Sequence, residues 1–236
     1  MARRPQVFLL VTCEHGGNRV PSRWRSLFTG GAALLASHRG LDIGSLAMAR
    51  RIAAAFGAPL IASRTTRLLV DLNRSIGHPR LFSAVTRPLP RAERDRILAR
   101  HYEPYRREVE SSIARHVTAG RRVLHVSSHS FTPELDGEVR NADIGLLYDP
   151  SRRTERRFCD EWHAALAAAD PALRVRRNYP YPGKADGLTT HLRRLFPGNR
   201  YLGIELEVNQ RHPLAGGTSW RRLQRSVIAA LAEALH

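Results

Sequence analysis

The stretch Val7 to Asn18 reads VFLLVTCEHGGN, a short apolar run that ends in acidic, histidine and glycine residues. Its apolar and β-branched residues predict a buried strand over Val7 to Thr12. Similar runs predict further strands at Pro59 to Ala62, Leu68 to Asp71, Val123 to Ser127, Ile144 to Tyr148 and Tyr201 to Val208. The amphipathic stretches between them predict helices at Leu41 to Phe56, Arg91 to Val117, Thr154 to Ala168, Gly187 to Phe196 and Ser219 to Leu235.

This alternation of strands and helices predicts an α/β fold. Parallel strands need crossover connections, and the crossing helices cover both faces of the sheet. We therefore expect a three-layer sandwich with a mixed, mostly parallel sheet. Because no long low-complexity linker or internal repeat divides the chain, we expect a single domain over residues 1–236.

The charge is strongly positive, with 38 Lys and Arg against 21 Asp and Glu and a net charge of +17. Lys184 is the single lysine, and the arginines are spread along the chain and not collected in one basic arm. This spread indicates a preference for arginine more than a nucleic-acid surface, so binding of nucleic acid or another polyanion is only an alternative.

Cysteine usage and the first residues bear on location. The two cysteines, Cys13 and Cys159, cannot build a disulfide framework, and the apolar run before Cys13 is too short for a secretion signal or a membrane span. We expect a cytoplasmic protein with no membrane partner. The sequence leaves the oligomeric state open.

Chemistry-bearing residues follow several of the predicted strands. In an open α/β sheet, ligands bind beyond the carboxyl ends of the strands. Here those ends carry CEHGGN (13–18), VDLNR (70–74), SSHS (127–130) and ELE (205–207). His15 and His129 each directly follow a strand and are the candidate metal ligands. His125 lies four residues before His129, deeper in the sheet, and is expected to be a core imidazole.

A catalytic zinc site usually adds one carboxylate to two histidines. The third ligand stays open: Asn18 and Glu14 rank equally, as ligands or as partners of a ligand, and Asp42 ranks behind them. Glu205 and Glu207 share one face of the last strand. Glu207 is nearer the carboxyl end and is the candidate general base for a metal-activated water, whereas Glu205 could equally be a salt-bridged structural residue.

Arginines near the third predicted strand suggest a carboxylate clamp. Arg67 and Arg74 flank Asp71, and a guanidinium group binds a carboxylate through two parallel hydrogen bonds. Asn73 lies between them along the chain, and Asp71 is expected mainly to orient its neighbours. A different possibility is a metal-free amidohydrolase, with Cys13 as a thiol nucleophile activated by His15.

Six motifs in order carry a resemblance to a known family. They are EHGGN followed by VP, SRTTRLLVDLNR, SSHSFTP, RNADIGLLYD, NYPYPGKADGLTTHLRR and GIELEVNQ, and they span about Val7 to Gln210. This combination resembles the N-formylglutamate amidohydrolase family, which is similar in turn to the group of zinc carboxypeptidases, aspartoacylases and succinylglutamate desuccinylases.

The resemblance implies a zinc-carboxypeptidase-like fold and hydrolysis of the amide of a small N-acyl amino acid, with N-formylglutamate as the first expectation. It implies one Zn²⁺, or another divalent metal, on His15 and His129, with Glu207 as the catalytic carboxylate. Related acylases have Glu three residues after the first histidine, where this chain has Asn18, and often Asp at the position of Ser127.

The resemblance also implies roles for residues that bind substrate. Asp71, Asn73 and Arg74 match the element that holds the substrate carboxylate, and Arg67 matches an arginine that polarises the scissile carbonyl or binds the carboxylate. Beside it, the residues themselves suggest that Arg140 meets a second carboxylate. The loop from Asn178 to Gly187, rich in Pro, Gly and Tyr, is expected to form a pocket wall, with Asn178 as a candidate substrate-binding residue.

Overall fold

The structure is a computed structural model that describes residues 7–236. The strands in this part of the chain are β1 (Val7–Cys13), β2 (Leu60–Ala62), β3 (Arg122–Phe131), β4 (Glu134–Leu135), β5 (Glu138–Val139), β6 (Ile144–Leu147), β7 (Val175–Arg177) and β8 (Tyr201–Asn209). The α-helices are α1 (Ala32–Ala36), α2 (Ser45–Phe56), α3 (Arg91–Ile97), α4 (Glu103–Thr118), α5 (Arg153–Ala169), α6 (Leu188–Leu195), α7 (Arg211–Ala215) and α8 (Gly217–Leu235). A 3₁₀ helix covers Ser22–Phe28, and a π-helical turn at Leu98–Tyr102 lies between α3 and α4.

Six strands form one sheet in the order β2-β1-β3-β8-β6-β7, and β4 and β5 form a separate antiparallel pair. The first four strands in this order run parallel, β6 pairs antiparallel with β8, and β7 runs parallel to β6. The mixed, mostly parallel sheet confirms the predicted fold class. Because β1, β3 and β8 are neighbours and run the same way, the residues at their carboxyl ends meet at one edge.

Helices cover both faces of this sheet, which confirms the three-layer arrangement. On one face α2, α5 and α8 pack on the strands through residues such as Met48, Trp162 and Val227. On the other face α3, α4 and α6 contribute residues such as Val109 and Leu192. The alternation of side chains along the strands assigns each residue to one core, so the odd-numbered residues of β3 and β8 face the α4 and α6 side.

One predicted strand is wrong. Leu68 to Asp71 lies in a series of turns, in which the Leu69 N–H donates to the Thr66 carbonyl at 3.0 Å and the Leu68 N–H donates to Thr66 Oγ1 at 3.3 Å. Leu68, Leu69 and Val70 are nevertheless buried in the core of the α4 face. The apolar run therefore indicated burial, which turns and strands share, and not an extended backbone.

Smaller differences concern element boundaries. The single helix predicted over Arg91 to Val117 is interrupted by the π-helical turn at Leu98–Tyr102. The short strands β4, β5 and β7 have partly or fully exposed residues and no apolar run, so no hydrophobic pattern indicates them. Among residues 7–236, the helices are all too short or too polar to cross a membrane.

Candidate active site

His15 and His129 lie side by side at the carboxyl edge of the sheet. His15 follows the end of β1 by two residues, and His129 is near the end of the neighbouring strand β3. Their ring centroids are 5.2 Å apart, and the residues are 2% and 3% exposed. The structure thus brings together the two histidines that the sequence singled out.

The glycines after His15 allow a close backbone contact. A Cβ atom on Gly17 would lie 2.6 Å from the carbonyl oxygen of Arg64, and one on Gly16 would lie 2.9 Å from that of Ser63. The N–H of Arg19 also donates to the Arg64 carbonyl, at 2.9 Å. The segment after β1 therefore packs directly on the segment after β2, and this contact fixes the position of His15.

Asp42, in the loop before α2, faces both imidazoles. Its Oδ2 atom lies 2.9 Å from Nδ1 of His129 and 3.3 Å from Nδ1 of His15. The three buried residues can offer ligand atoms that all lie within 4.8 Å of one another. The N–H of Asp42 donates to the His15 carbonyl at 3.0 Å, which holds this loop against the end of β1. Two imidazoles and one carboxylate are a common donor set for catalytic zinc.

The geometry favours Asp42 over the two residues that the sequence ranked above it as third ligand. The side chain of Asn18 is exposed. Glu14 is buried, but its carboxylate lies 3.0 Å from Nε2 of His129, the ring nitrogen opposite the one that Asp42 contacts. Asp42 is thus the carboxylate whose Oδ2 atom lies close to Nδ1 of both histidines.

Asp71 and Arg67 extend this network. Asp71 Oδ1 lies 2.7 Å from Nε2 of His15, and its Oδ2 accepts a hydrogen bond from Nη2 of Arg67 at 2.8 Å. Nη1 of Arg67 donates to Oδ1 of Asp42 at 3.0 Å. Arg67 therefore links the two carboxylates that contact His15. Its predicted catalytic role and the predicted substrate contact of Asp71 remain predictions.

Glu207 lies opposite His129 in the parallel register of β3 and β8. The residue is 5% exposed, and its Oε2 atom has no hydrogen-bond partner among the described residues. Burial is the main cause that raises the pKa of Glu207 to about 7, and the charges of Asp42 and Glu205 also raise it, whereas His129 lowers it. A buried, unpaired carboxyl oxygen is costly to maintain, and at this place it is suited to exchange a proton with water.

The other charges of the site are set by their neighbours. Burial alone would raise the pKa of Asp42 and of Asp71, but the charges of His15 and Arg67 hold both far below the usual range. Burial lowers the pKa of His129, yet its contacts with Asp42 and Glu14 raise it well above its ordinary value. Asp42 and Asp71 are therefore ionised at neutral pH.

The loop after Asp71 is fixed from several sides. Asn73 accepts a hydrogen bond on Oδ1 from the N–H of Leu188 at 2.6 Å, and Nη1 of Arg74 donates to the Asp186 carbonyl at 2.6 Å. From the π-helical turn, Tyr102 Oη donates to the Arg74 carbonyl at 2.7 Å. Asn73 and Arg74, both predicted to bind substrate, are thus held by the start of α6 and by the helices on their face.

Arg140 and Asn178, also predicted to bind substrate, make contacts in other loops. Nη1 of Arg140 donates to Tyr181 Oη at 2.9 Å, and its guanidinium carbon lies 5.0 Å from the centre of that ring. Oδ1 of Asn178 accepts the N–H groups of Tyr148 and Gly183 at 3.0 and 3.1 Å. Asn178 therefore shapes its own loop, and Arg140 is held by an aromatic residue of the same loop.

The remaining predicted residues have structural surroundings. His125 is fully buried, with Nε2 2.8 Å from Thr12 Oγ1 and Nδ1 2.8 Å from Tyr201 Oη, which agrees with the expected core imidazole. Glu205 accepts a hydrogen bond from Thr189 Oγ1 at 2.6 Å and lies outside any ion pair among the described residues. Cys13 packs in the core of the α2 face.

The sequence analysis did not identify two residues that contact the site. Tyr105 of α4 donates to Oε1 of Glu14 at 2.6 Å, and Ser127 of β3 donates to Oε2 at 2.5 Å. Nothing in the spacing of Tyr105 relates it to Glu14, because the contact depends on how α4 packs on the sheet. Ser127 was noted only as a departure from related enzymes, although its position two residues before His129 places it on the same face.

Comparison with known proteins identifies relatives over nearly the whole chain. The gene product Atu2144 from Agrobacterium tumefaciens has a similar structure, with a TM-score of 0.83 and 30% identity over 98% of this chain and 91% of that chain. The N-formylglutamate amidohydrolase from Ralstonia eutropha JMP134 shares the fold, with a TM-score of 0.69 and 19% identity over 98% and 94%. A search of curated proteins gave no match.

The chain matches a family of amidohydrolases, which are enzymes that hydrolyse amide bonds. Within this class, the sequence profile of N-formylglutamate amidohydrolase matches residues 7–212. The chain belongs to the N-formylglutamate amidohydrolase family, as the resemblance indicated.

Proposed function

We propose that the protein is a zinc-dependent amidohydrolase that cleaves the amide of a small N-acyl amino acid, with N-formylglutamate as the preferred substrate and formate and glutamate as products. The observation that carries this proposal is the unpaired, buried Oε2 of Glu207 beside the cluster of His15, Asp42 and His129. Membership of the family supports the reaction class. The catalytic groups come from residues 15 to 207, which supports one catalytic domain.

The residues fit a divalent metal ion. Two imidazoles and a carboxylate would hold it through Nδ1 of His15, Nδ1 of His129 and Oδ2 of Asp42, three atoms that already face one another. When bound, a zinc ion would supply Lewis acidity, which lowers the pKa of water and polarises a carbonyl oxygen. These three residues would supply three protein ligands, which is the number typical of catalytic zinc sites.

Glu207 moves the proton in this reaction. Its Oε2 takes a proton from the attacking water, whose oxygen forms a bond to the acyl carbon. Oε2 of Glu207 then gives the proton to the amide nitrogen as the carbon–nitrogen bond breaks. The products are a carboxylic acid and a free amine. A carboxyl group whose pKa is raised to about 7 by burial can both accept and donate a proton near neutral pH.

Arginines near the site recognise the carboxylates of the substrate. Arg67 uses Nη1 and Nη2 on Asp42 and Asp71, but a guanidinium group has five N–H donors, and the side chain is 25% exposed. It is therefore able to donate to the acyl oxygen or to a substrate carboxylate as well. We assign the α-carboxylate to Arg74 and Asn73, as the family pattern implies. We assign a glutamate side chain to Arg140 because of its position in the loop before β6.

The two other functions considered have weaker support. A Cys13 nucleophile needs an accessible thiolate, but the thiol is buried, and burial is the main cause that raises its pKa to about 12. Its Sγ atom lies 3.3 Å from Ser45 Oγ in the core. Polyanion binding rests only on the net charge of +17.

The test combines metal analysis with a substrate panel. The purified protein, loaded with Zn²⁺, is assayed on N-formylglutamate, N-acetylglutamate, N-formylaspartate and N-formylleucine. We expect about one zinc per chain, the highest kcat/KM on N-formylglutamate, and loss of turnover after chelation. Hydrolysis that persists without metal would contradict the zinc mechanism, and preference for another compound in the panel would contradict the assigned substrate. DNA binding that falls steeply with salt, together with no hydrolysis, would favour the polyanion alternative.

A further inference from the structure

Glu14 is a buried carboxylate for which the proposed reaction has no use. It is 1% exposed and lies directly after β1. Three groups surround its two oxygens: Tyr105 Oη at 2.6 Å, Ser127 Oγ at 2.5 Å and Nε2 of His129 at 3.0 Å. An ionised carboxylate without partners would be strongly disfavoured there, so these three contacts are what allow Glu14 to be buried.

Counting the hydrogens assigns the donor in each contact. An ionised carboxylate only accepts hydrogen bonds, so the hydroxyl groups of Tyr105 and Ser127 each donate their hydrogen to Glu14. Ser127 Oγ also lies 2.9 Å from Nε2 of His129 and can only accept there. Both neighbours of Nε2 are therefore acceptors, which means that this nitrogen carries the hydrogen.

The hydrogen on Nε2 determines what the other nitrogen of His129 can do. In a neutral imidazole one nitrogen is a donor and the other has a free lone pair. Nδ1 lies 2.9 Å from the ionised Asp42 Oδ2, and without a bound ion it donates a hydrogen to that oxygen. A bound metal ion would replace this hydrogen, and because Nε2 keeps its own, the freed lone pair would be on Nδ1. The two ring nitrogens point away from each other, so Glu14 cannot be a ligand of an ion that Asp42 and Nδ1 share.

The same arrangement recurs at His15. Its Nε2 lies 2.7 Å from Asp71 Oδ1, and its Nδ1 faces Asp42 Oδ2 at 3.3 Å. Each imidazole thus contacts its own carboxylate through Nε2, and both imidazoles contact Asp42 through Nδ1. Two unrelated segments of the chain supply these carboxylates, one after β1 and one in the turns after β2.

We propose that Glu14 and Asp71 are positioning residues that hold the hydrogens of His129 and His15 at Nε2 and so present both Nδ1 lone pairs to one metal ion. The inference rests on the proposed function for the presence of the metal, but not for the substrate. In this proposal Glu14 orients the metal ligand His129, and Asp71 orients His15 instead of contacting the substrate. Carboxylates in this position raise the affinity of a site for its metal by about 10- to 100-fold.

The first experiment measures metal affinity without any substrate. Zinc dissociation constants are measured by competition with a chromophoric chelator for the wild type, Glu14→Gln, Asp71→Asn and the control Glu205→Gln, a buried carboxylate on the same face that contacts Thr189. We expect about 10- to 100-fold weaker binding for the first two variants and no change for the control. Wild-type affinity in both Glu14→Gln and Asp71→Asn would overturn the proposal.

The second experiment uses the wild-type protein and does not depend on the variants folding. Long-range ¹H–¹⁵N spectra of the zinc-loaded protein report which nitrogen of each histidine carries hydrogen. We expect hydrogen on Nε2 of both His15 and His129, and a hydrogen on Nδ1 of either would overturn the proposal. Neither measurement involves hydrolysis, so a wrong substrate would leave both results intact, whereas absence of any zinc binding would refute the proposed function itself.

Discussion

Glu207 and His129 are register partners on adjacent parallel strands, so their side chains project from the same face of the sheet at the distance that separates two strands. The carboxylate that we propose as the general base is therefore fixed relative to a proposed metal ligand by backbone hydrogen bonds between the strands. Replacement of Glu207 should change the chemistry and leave the donor set in place.

For Glu207→Gln we expect kcat on N-formylglutamate to fall by about 10²- to 10⁴-fold, the usual contribution of a general base. Glutamine keeps the size of the side chain but cannot accept a proton. Zinc content should stay at the wild-type level, as measured by elemental analysis. Glu205→Gln is the matched control two residues earlier, and an equal loss of kcat in that variant would count against a specific role for Glu207.

The third metal ligand can be tested by a pair of substitutions. We expect Asp42→Ala to lose most of its bound zinc and its activity, because the carboxylate that both Nδ1 atoms face is removed. Asn18→Ala, at an exposed position, should keep both. The measurement is zinc per chain after dialysis against a weak chelator. Retention of zinc by Asp42→Ala together with loss by Asn18→Ala would reverse the assignment.

The loop of Asn73 and Arg74 depends on Tyr102. Tyr102→Phe removes the hydrogen bond to the Arg74 carbonyl, which is worth about 1 kcal/mol. If this hydrogen bond holds the substrate-binding loop, we expect KM to rise by about 5-fold, the ratio to which 1 kcal/mol corresponds, with little change in kcat.

Tyr201→Phe is the control for this prediction, since it removes the contact between a buried tyrosine hydroxyl and His125. It should lower the free energy of unfolding by a similar amount and leave KM unchanged. Equal KM values in wild type and Tyr102→Phe would show that the loop is held without this hydrogen bond.

Acid should destabilise the protein through His125. Burial is the main cause that lowers the pKa of His125 to about 4, whereas in the unfolded chain it is about 6.5. Between these values the unfolded state binds more protons, so the stability contribution is complete above pH 6.5 and is lost as the pH falls towards 4. The difference corresponds to about 3 kcal/mol.

This dependence is checked by urea unfolding between pH 7 and pH 4. The wild type should lose more free energy of unfolding over that range than His125→Gln, which does not titrate, even though the variant is less stable at pH 7. Parallel curves for the two proteins would show that His125 takes up its proton over the same pH range in the native and the unfolded state.

The sequence predicted the sheet and the two histidines because both leave local signals. Buried parallel strands are apolar runs, and residues that directly follow such runs collect at one edge. His15 follows β1 as this rule requires, whereas His129 and Glu207 lie within β3 and β8, two residues before the ends of those strands, and the three residues still meet at this edge. The same rule failed for Leu68 to Asp71, where an apolar run is buried within turns, although Asp71 still reaches the site.

Asp42 had no comparable signal. It lies in a loop before α2, and its position follows from a backbone hydrogen bond to His15 and from the ion pair with Arg67. Such contacts join residues far apart in the chain, so no fixed spacing indicates them. The same holds for Tyr105, whose hydroxyl reaches Glu14 only because α4 packs on this face of the sheet.

The order of strands has a consequence for synthesis of the protein on the ribosome. β8 lies between β3 and β6 in the sheet, although both of those strands precede it in the chain. A nascent chain that lacks β8 therefore has no continuous sheet and no Glu207. Hydrolytic capacity should then arise in a single late event, when β8 leaves the exit tunnel and enters the gap, and not in stages as the chain emerges.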